Sequence, residues 1–396
     1  MRNSFFIAGF LSLVLFSCGT SEQKTETKPE LLLNLELADS LDLDFLGSPI
    51  LASSNPEGSR LAFFDYPSQK IIITDGAGEI LDTLSKQGDT PDAYGFMIDL
   101  PVIYGNDKVI QIGMNGIFIY TQSGEMLKKI KHPEDMGGAV FSSRTGKTSK
   151  IIRLNGTPYL LMNSIRTRET YAGAQEFYDT YKAIELVDLE TGESLDFGPF
   201  EEGSLFLNGK GFIQSDYYPA FAENNGKLYL SHGGEPKVWI YDFSPSESKL
   251  DTALSLDIPG LFPIEGIDRN ELSEGSYSFH GGTAAIRNIF IQNGLIIISY
   301  YPGMDPKQMD QAQKLFSEGK EDEGRAIYNK LNRETSPGIF VYDETTLEFL
   351  GRLSYPEIAN TGGLLANDEF IYFQKKPDPN VEEDFLRVYK YKLITE

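Results

Sequence analysis

Residues 107–130, DKVIQIGMNGIFIYTQSGEMLKKI, decide how the rest of the chain is read. Residues 108–112 alternate apolar and polar around Val109 and Ile110, the pattern of a half-buried strand, and residues 116–120 repeat it through Ile117 and Ile119. Ser123-Gly124-Glu125 is turn chemistry, because glycine takes positive φ without steric cost, and a third strand begins at Met126. Short strands punctuated at this rate by Gly and Asn predict antiparallel β architecture.

The same grammar recurs at 71–79 (IIITDGAGE), 184–193 (IELVDLETGE), 238–243 (VWIYDF) and 339–348 (IFVYDETTLE), and once without a following turn at 385–393 (FLRVYKYKL). An apolar run precedes each copy, at 60–64, 159–162, 227–231, 295–300 and 369–373. A weaker run lies upstream of each pair, as at 48–53 and 284–291. Four strands per unit, six units and a period of about 45 residues predict an all-β, six-bladed β-propeller, in which stacked blades bury what one blade alone leaves exposed. The blades are expected at 47–86, 95–131, 139–200, 217–258, 283–354 and 358–394, with an insertion at 165–181 in the third. The last unit holds three strands, and residues 31–37 (LLLNLEL) form one strand too many at the other end. The N-terminal strand is therefore expected to complete the sixth blade beside 385–393 and close the ring.

Residues 305–335 break the β pattern. Met309, Ala312, Leu315 and Phe316, and then Ala326, Ile327 and Leu331, fall at helical spacing, which predicts a helical insertion in blade five.

Ahead of the propeller, residues 1–17 read as a signal peptide: Arg2 precedes an apolar run, 5–16, too short for an ordinary membrane-spanning helix. Leu15-Phe16-Ser17-Cys18 resembles the bacterial lipobox, which implies cleavage before Cys18 and its lipidation. Residues 19–30 (GTSEQKTETKPE) read as a flexible tether, leaving 31–396 for the propeller. Cys18 is the sole cysteine, so an extracytoplasmic form has no internal disulfide and depends on core burial and ring closure. The formal charge of −23 becomes about −24 once Arg2 is removed, which repels nucleic acid and anionic headgroups. Membrane association is then expected through the lipid alone.

Loops between second and third strands, and links between blades, leave a propeller on one face. That geometry places His232 (in SHGGEP), His280 (in FHGGTA), Arg166, Arg168 and the link 87–95 with Asp89 and Tyr94 on a common face, together with the helical insertion. Tyr217 offers an aromatic platform and Arg287 a charge near the axis, completing the candidate ligand-binding set. The competing reading is a metal-dependent hydrolase or lyase with a Ca²⁺-type site in the axial tunnel, held by Asp99, Glu223, Asn288 and Asn360. The chain contains no G-x-S-x-G elbow, phosphate loop, H-E-x-x-H or paired cysteine ligands, so no catalytic residue is assigned and no cofactor is expected under the leading reading.

The lipobox, the acidic mature chain, the six units and the loop QGDTPDAYG together resemble the six-bladed, TolB-like propeller lipoproteins of Bacteroides-type bacteria. That group carries a G-x-G-P-x-E-(F/Y) loop between its first two blades. Gly88, Pro91 and Tyr94 keep its outline, while Asp89-Thr90 lengthens the spacing and the Glu is missing. The resemblance implies a lipid-anchored protein of the bacterial cell envelope, at the outer membrane and facing either side of it. The expected function is binding of a protein, peptide or glycan through the insert-bearing face.

Overall fold

The alternation read from the sequence is realised strand by strand in the computed structural model, which describes residues 33–134, 144–147, 149–274, 282–378, 380–381 and 383–395. Strand β1 (Leu33–Leu43) precedes the first blade, β2 (Pro49–Ser54), β3 (Arg60–Asp65), β4 (Lys70–Asp75) and β5 (Ile80–Leu84). Blade two is β6 (Val102–Tyr104), β7 (Lys108–Gly113), β8 (Gly116–Thr121) and β9 (Met126–Ile130). Blade three is β10 (Lys150–Leu154), β11 (Thr157–Asn163), β12 (Ile184–Asp188) and β13 (Ser194–Phe197), with helix α1 (Gln175–Thr180) between β11 and β12. Helix α2 (Gln214–Tyr217) leads into blade four, β14 (Pro219–Asn224), β15 (Lys227–His232), β16 (Lys237–Phe243) and β17 (Ser248–Ser255). Blade five is β18 (Ala285–Gln292), β19 (Leu295–Tyr301), β20 (Gly338–Asp343) and β21 (Phe349–Ser354), interrupted after β19 by α3 (Pro306–Ser317) and α4 (Glu321–Glu334). Blade six takes β22 (Leu365–Ala366), β23 (Ile371–Gln374) and β24 (Leu386–Thr395) from the C-terminal end, and β1 as its outer strand.

Each sheet is a four-stranded antiparallel meander, and the six together form a six-bladed propeller. Closure pairs the two chain ends as expected, with β1 running on past Leu37: Leu35 lies opposite Leu393 and Leu37 opposite Tyr391, and the pairing continues to Leu43 opposite Leu386. Leu41 and Leu43 of β1 are buried with Leu51, Phe63, Ile72 and Phe373, so the chain's two ends share one core with the first blade.

The turns between third and fourth strands explain why the repeat is visible in the sequence. Asp75 Oδ1 accepts from the backbone N–H of Ala77 and Glu79, Asp188 Oδ1 from Glu190 and Thr191, and Asp343 Oδ1 from Thr345 and Thr346. In blade two Thr121 Oγ1 plays this part toward Glu125 N–H at 3.0 Å. These short side-chain-to-backbone turns reverse the chain within a few residues. They lie on the face opposite the mouth, which collects the loops between second and third strands and the links between blades. The four α-helices among the described residues therefore belong to the mouth face.

Candidate functional site: an axial plug and a cleft at the mouth

The links between blades at the mouth are not equivalent. Residues 144–147 and Ser149, just ahead of β10, contact five other blades. Gly146 N–H donates to Leu51 O of blade one at 3.1 Å, and Ser149 Oγ donates at 2.6 Å to Asp99, just ahead of blade two. Lys147 Nζ donates to Pro219 O of blade four. Thr145 O accepts from Asn288 of blade five at 3.4 Å, and Thr145 Oγ1 donates at 2.6 Å to Gln374 Oε1 of blade six. Gln374 in turn accepts from Leu51 N–H and donates to Pro49 O, both at 3.0 Å. A segment that meets every other blade occupies the axis, so it plugs the channel.

The plug and the strands beside it carry cations. Lys147 and Arg287 are each 7% exposed. Lys147 lies 5.1 Å over the Tyr218 ring. Lys150 Nζ donates to Ile289 O at 2.7 Å and lies 4.3 Å over Phe290. Arg287 donates through Nη1 to Thr361 O and stacks 4.2 Å over Tyr301. Burial, and then the charges of Arg144 and Lys150, hold the Lys147 ammonium well below its ordinary pKa. Burial pushes Lys150 down to about 7, and burial with the Arg144 charge brings Arg287 down to about 10. Asp99 is buried beside this group and accepts from Ser149 N–H, Ser149 Oγ and Leu100 N–H, yet burial still pushes its carboxyl up to about 6.

Next to the plug, the insertion between β11 and β12 folds over the mouth and bounds a cleft of about 360 Å³. Phe177, Tyr181 and Tyr217 form an aromatic wall with ring centroids 5.4–5.5 Å apart. The opposite side is polar. Arg166 Nε lies 3.3 Å from Glu185 and its Nη2 donates to Ser194 Oγ at 2.7 Å. Arg168 Nη2 donates to Asp196 at 2.8 Å and to Ser164 Oγ at 3.1 Å. Burial works to raise the Asp196 carboxyl, but the Arg168 hydrogen bond and the two guanidinium charges outweigh it and hold it below the usual carboxylate range. Both arginines are thus fixed by second partners and present a preset edge to the cleft.

Of the residues predicted from sequence to bind a ligand, Arg166, Arg168 and Tyr217 line this one cleft. Arg287 stands at the axis beside it, and Asp89 is exposed on the link between blades one and two without lining the cleft. His232 does not face the mouth. It is fully buried, with Nε2 3.1 Å from Pro199 O and its ring 5.1 Å from Phe200 and 5.9 Å from Tyr181. Burial lowers its pKa to about 3, so it is a neutral core residue. Tyr94 is likewise fully buried, its carbonyl accepting from Asn115 N–H at 3.1 Å; it anchors the loop instead of reaching out of it. His280 and Cys18 lie outside the described residues.

The four residues of the Ca²⁺ reading do not converge. Asp99 sits at the mouth, committed to Ser149 and Leu100. Glu223 is near the far end of β14, where it accepts from Gly226 N–H at 2.8 Å in the turn. Asn360 accepts from Gly362 N–H and is exposed, while Asn288 is turned toward Thr145. Lys147, Lys150 and Arg287 occupy the axial position where that reading needs carboxylates. Among the described residues no cluster of three or more His, Cys, Asp or Glu is placed to hold a metal.

The sequence reading passed over Lys147, Lys150 and Arg144. Their signal is visible in R-T-G-K-T-S-K, 144–150, three cations in seven residues of an acidic chain. It also passed over Phe177 and Tyr181, which sit in the recognised insertion at the spacing that puts i and i+4 on one helix face.

No family model matches the chain, and no curated protein matches it. Among solved structures it is similar to a member of the DUF4221 family from Bacteroides vulgatus, with a TM-score of 0.58 at 13% identity, covering 93% of this chain and 100% of that one. A protein from Bacteroides fragilis described as exported aligns with a TM-score of 0.49 at 11% identity over 92% of this chain and 96% of its own. A luciferin-regenerating enzyme aligns at 0.42 and 11% identity, over 91% and 95%. At these identities the likeness to the Bacteroides vulgatus protein is one of fold.

Proposed function

We propose that this chain is a lipid-anchored, extracytoplasmic binding module whose ligand site is the cleft at the propeller mouth. The anchoring half of this reading rests on the sequence: the short apolar leader, the Leu-Phe-Ser-Cys ending at Cys18 and the polar tether that follows. The binding half rests on the cleft. Its volume of about 360 Å³ suits a small ligand or one or two units of a longer one. An aromatic wall stacks a flat apolar face, while fixed arginines and the Gln214 amide, which also lines the cleft, supply directional hydrogen bonds. The blades act as a rigid frame that holds variable loops, and no covalent step is required.

The observation that carries the reading is the joining of an aromatic wall to a preset arginine pair by the insertion of blade three. Its test is a thermal-shift panel of mono- and disaccharides and short peptides on the full-length protein in detergent, repeated with Gln214→Ala and Tyr217→Leu. A saturable shift for one compound class, reduced in both variants, supports the cleft; a shift that neither variant alters places the ligand elsewhere. Metabolic labelling with a fatty acid, expected to be lost in Cys18→Ser, tests the anchor separately.

A further inference from the structure

We infer that the axial cluster of Lys147, Lys150 and Arg287 is a binding site for the carboxylate group of a small organic acid. The site is distinct from the aromatic cleft and opens beside it.

Charge balance is the first argument. Among the described residues, none of these three cations forms an ion pair within 4.0 Å; their partners are the carbonyls of Pro219, Ile289 and Thr361 and the rings of Tyr218, Phe290 and Tyr301. Arg144 adds a further positive charge close to Lys147 and Arg287. The acid near them, Asp99, is already engaged by Ser149 and Leu100. Placing like charges together out of water is unfavourable unless a counter-charge joins them or the lysines give up their protons.

Donor count is the second. A lysine has three N–H donors and an arginine five, and the carbonyls above occupy few of them. Arg287 Nε is buried and has no hydrogen-bond partner among the described residues. Space is the third. The hollow bounded by Lys147, Lys150, Arg287, Asn163 and Asn288 measures about 20 Å³, room for one or two water-sized atoms, which suits the paired oxygens of a planar carboxylate and is small for a tetrahedral oxoanion. The fourth is access: Asn163 and Pro219 line both this hollow and the cleft, so an acid seated here extends its remaining atoms toward the aromatic wall.

The test uses acetate on the full-length protein in detergent, against sodium chloride at matched ionic strength. Acetate is expected to raise the unfolding midpoint saturably and beyond the chloride control. Calorimetry at pH 8 is expected to show heats that depend on the buffer's ionisation enthalpy, because the anion restores protons to the depressed lysines. Lys147→Met keeps the buried stem and removes the amine, so it is expected to weaken acetate at least tenfold and to reduce the proton uptake seen in the heats. A merely structural lysine would shift the midpoint without acetate and leave the strength of acetate binding unchanged. Should Lys147→Met fail to fold, Arg287→Gln is read in the same way. Acetate acting no better than chloride, or acting equally on wild type and the folded variant, overturns the site; phosphate binding more than tenfold tighter than acetate overturns the carboxylate assignment. Acetate is too small to fill the cleft, so a failure here leaves the cleft reading standing.

Discussion

Arg387 and Asp42, 345 residues apart in sequence, face each other across β24 and β1 and share two hydrogen bonds of 2.7 Å, Nε to Oδ1 and Nη2 to Oδ2. They mark the seam at which the ring closes, yet side-chain exposures of 35% and 45% leave the pair screened by solvent. The holding force at the seam is the apolar burial beside it. Leu43→Ala removes a fully buried side chain and is expected to destabilise the protein by about 2–5 kcal/mol. Asp42→Ala is expected to have a much smaller effect. Urea unfolding of the two variants in parallel checks this ordering, and equal losses would show that the ion pair, not the core, fastens the ring.

His232 gives a pH-dependent prediction with a definite sign. Its folded pKa is lowered to about 3 from an ordinary 6.5, so the unfolded chain binds the proton more tightly. Its contribution to stability is whole above pH 6.5 and falls as the pH drops toward 3, by about 1.4 kcal/mol per unit within that window. His232→Gln, which keeps a donor for Pro199 O, is expected to be less stable than wild type at pH 7 and flatter between pH 6.5 and 4. Denaturant midpoints across that range check it. A His232 imidazole proton signal, assigned by its loss in His232→Gln, that titrates near pH 6.5 in the folded protein would contradict the burial argument directly.

The contrast between His232 and the strands around it shows what the sequence makes legible. Strand period and the Asp-centred turns are local properties, written in neighbouring residues, and they recur because each blade solves the same local problem. The ring and its N-terminal clasp follow from counting them. The insertion at α1 was also visible, and with it Arg166 and Arg168, because an interruption in a regular pattern is itself a signal. What a loop meets after leaving a strand is not local. Strand order alone places His232 on the mouth face; in the fold Gly233 turns the chain against Asp216 and Tyr217, and the imidazole is carried inward. The expected bounds, 139–200, place residues 144–147 within the third blade; its first strand begins only at Lys150, and only the assembled ring shows that the residues ahead of it cross the axis. Tyr94 kept the outline of a family loop, and that outline proves to be an anchoring device: Tyr120 Oη donates to Asp92 O at 2.7 Å beneath it, and Lys86 pairs with Asp92 at 2.6 Å.

Asp99 predicts the opposite slope. An acid whose folded pKa is raised to about 6 from 3.8 stabilises the fold at low pH and loses that contribution as the pH climbs through 6. The two-unit displacement corresponds to about 3 kcal/mol at most. Asp99→Asn retains an oxygen for Ser149 and is expected to abolish this part of the profile between pH 4 and 6, gaining stability relative to wild type at pH 7. Asp216, also raised to about 6 by burial, is expected to behave in parallel in Asp216→Asn. Carboxylates held low by partners, such as Asp196 and Asp65, slope the other way. The readout is therefore the difference between wild type and variant at each pH, and a difference that does not change from pH 4 to 6 would reject the assignment.

Gly146 is where the plug is most sensitive to its backbone. It adopts φ +66°, and a Cβ added there would overlap the Leu364 carbonyl oxygen of the link into blade six. The neighbouring backbone is tied on both sides, by Gly146 N–H to Leu51 O and by the Thr145–Gln374 hydrogen bond, so it has little room to shift. A left-handed conformation alone costs a non-glycine residue about 1–2 kcal/mol, and the overlap adds to that. Gly146→Ala is expected to destabilise the propeller by at least about 2 kcal/mol, whereas Gly156→Ala, at φ +88° with open space around it, carries only the conformational cost. If the plug is a structural element of the ring, Gly146→Ala lowers the unfolding midpoint clearly more than Gly156→Ala. If the two glycines prove equivalent, residues 144–147 rest on the axis without bracing it, and the cations they carry are then held by the surrounding blades alone.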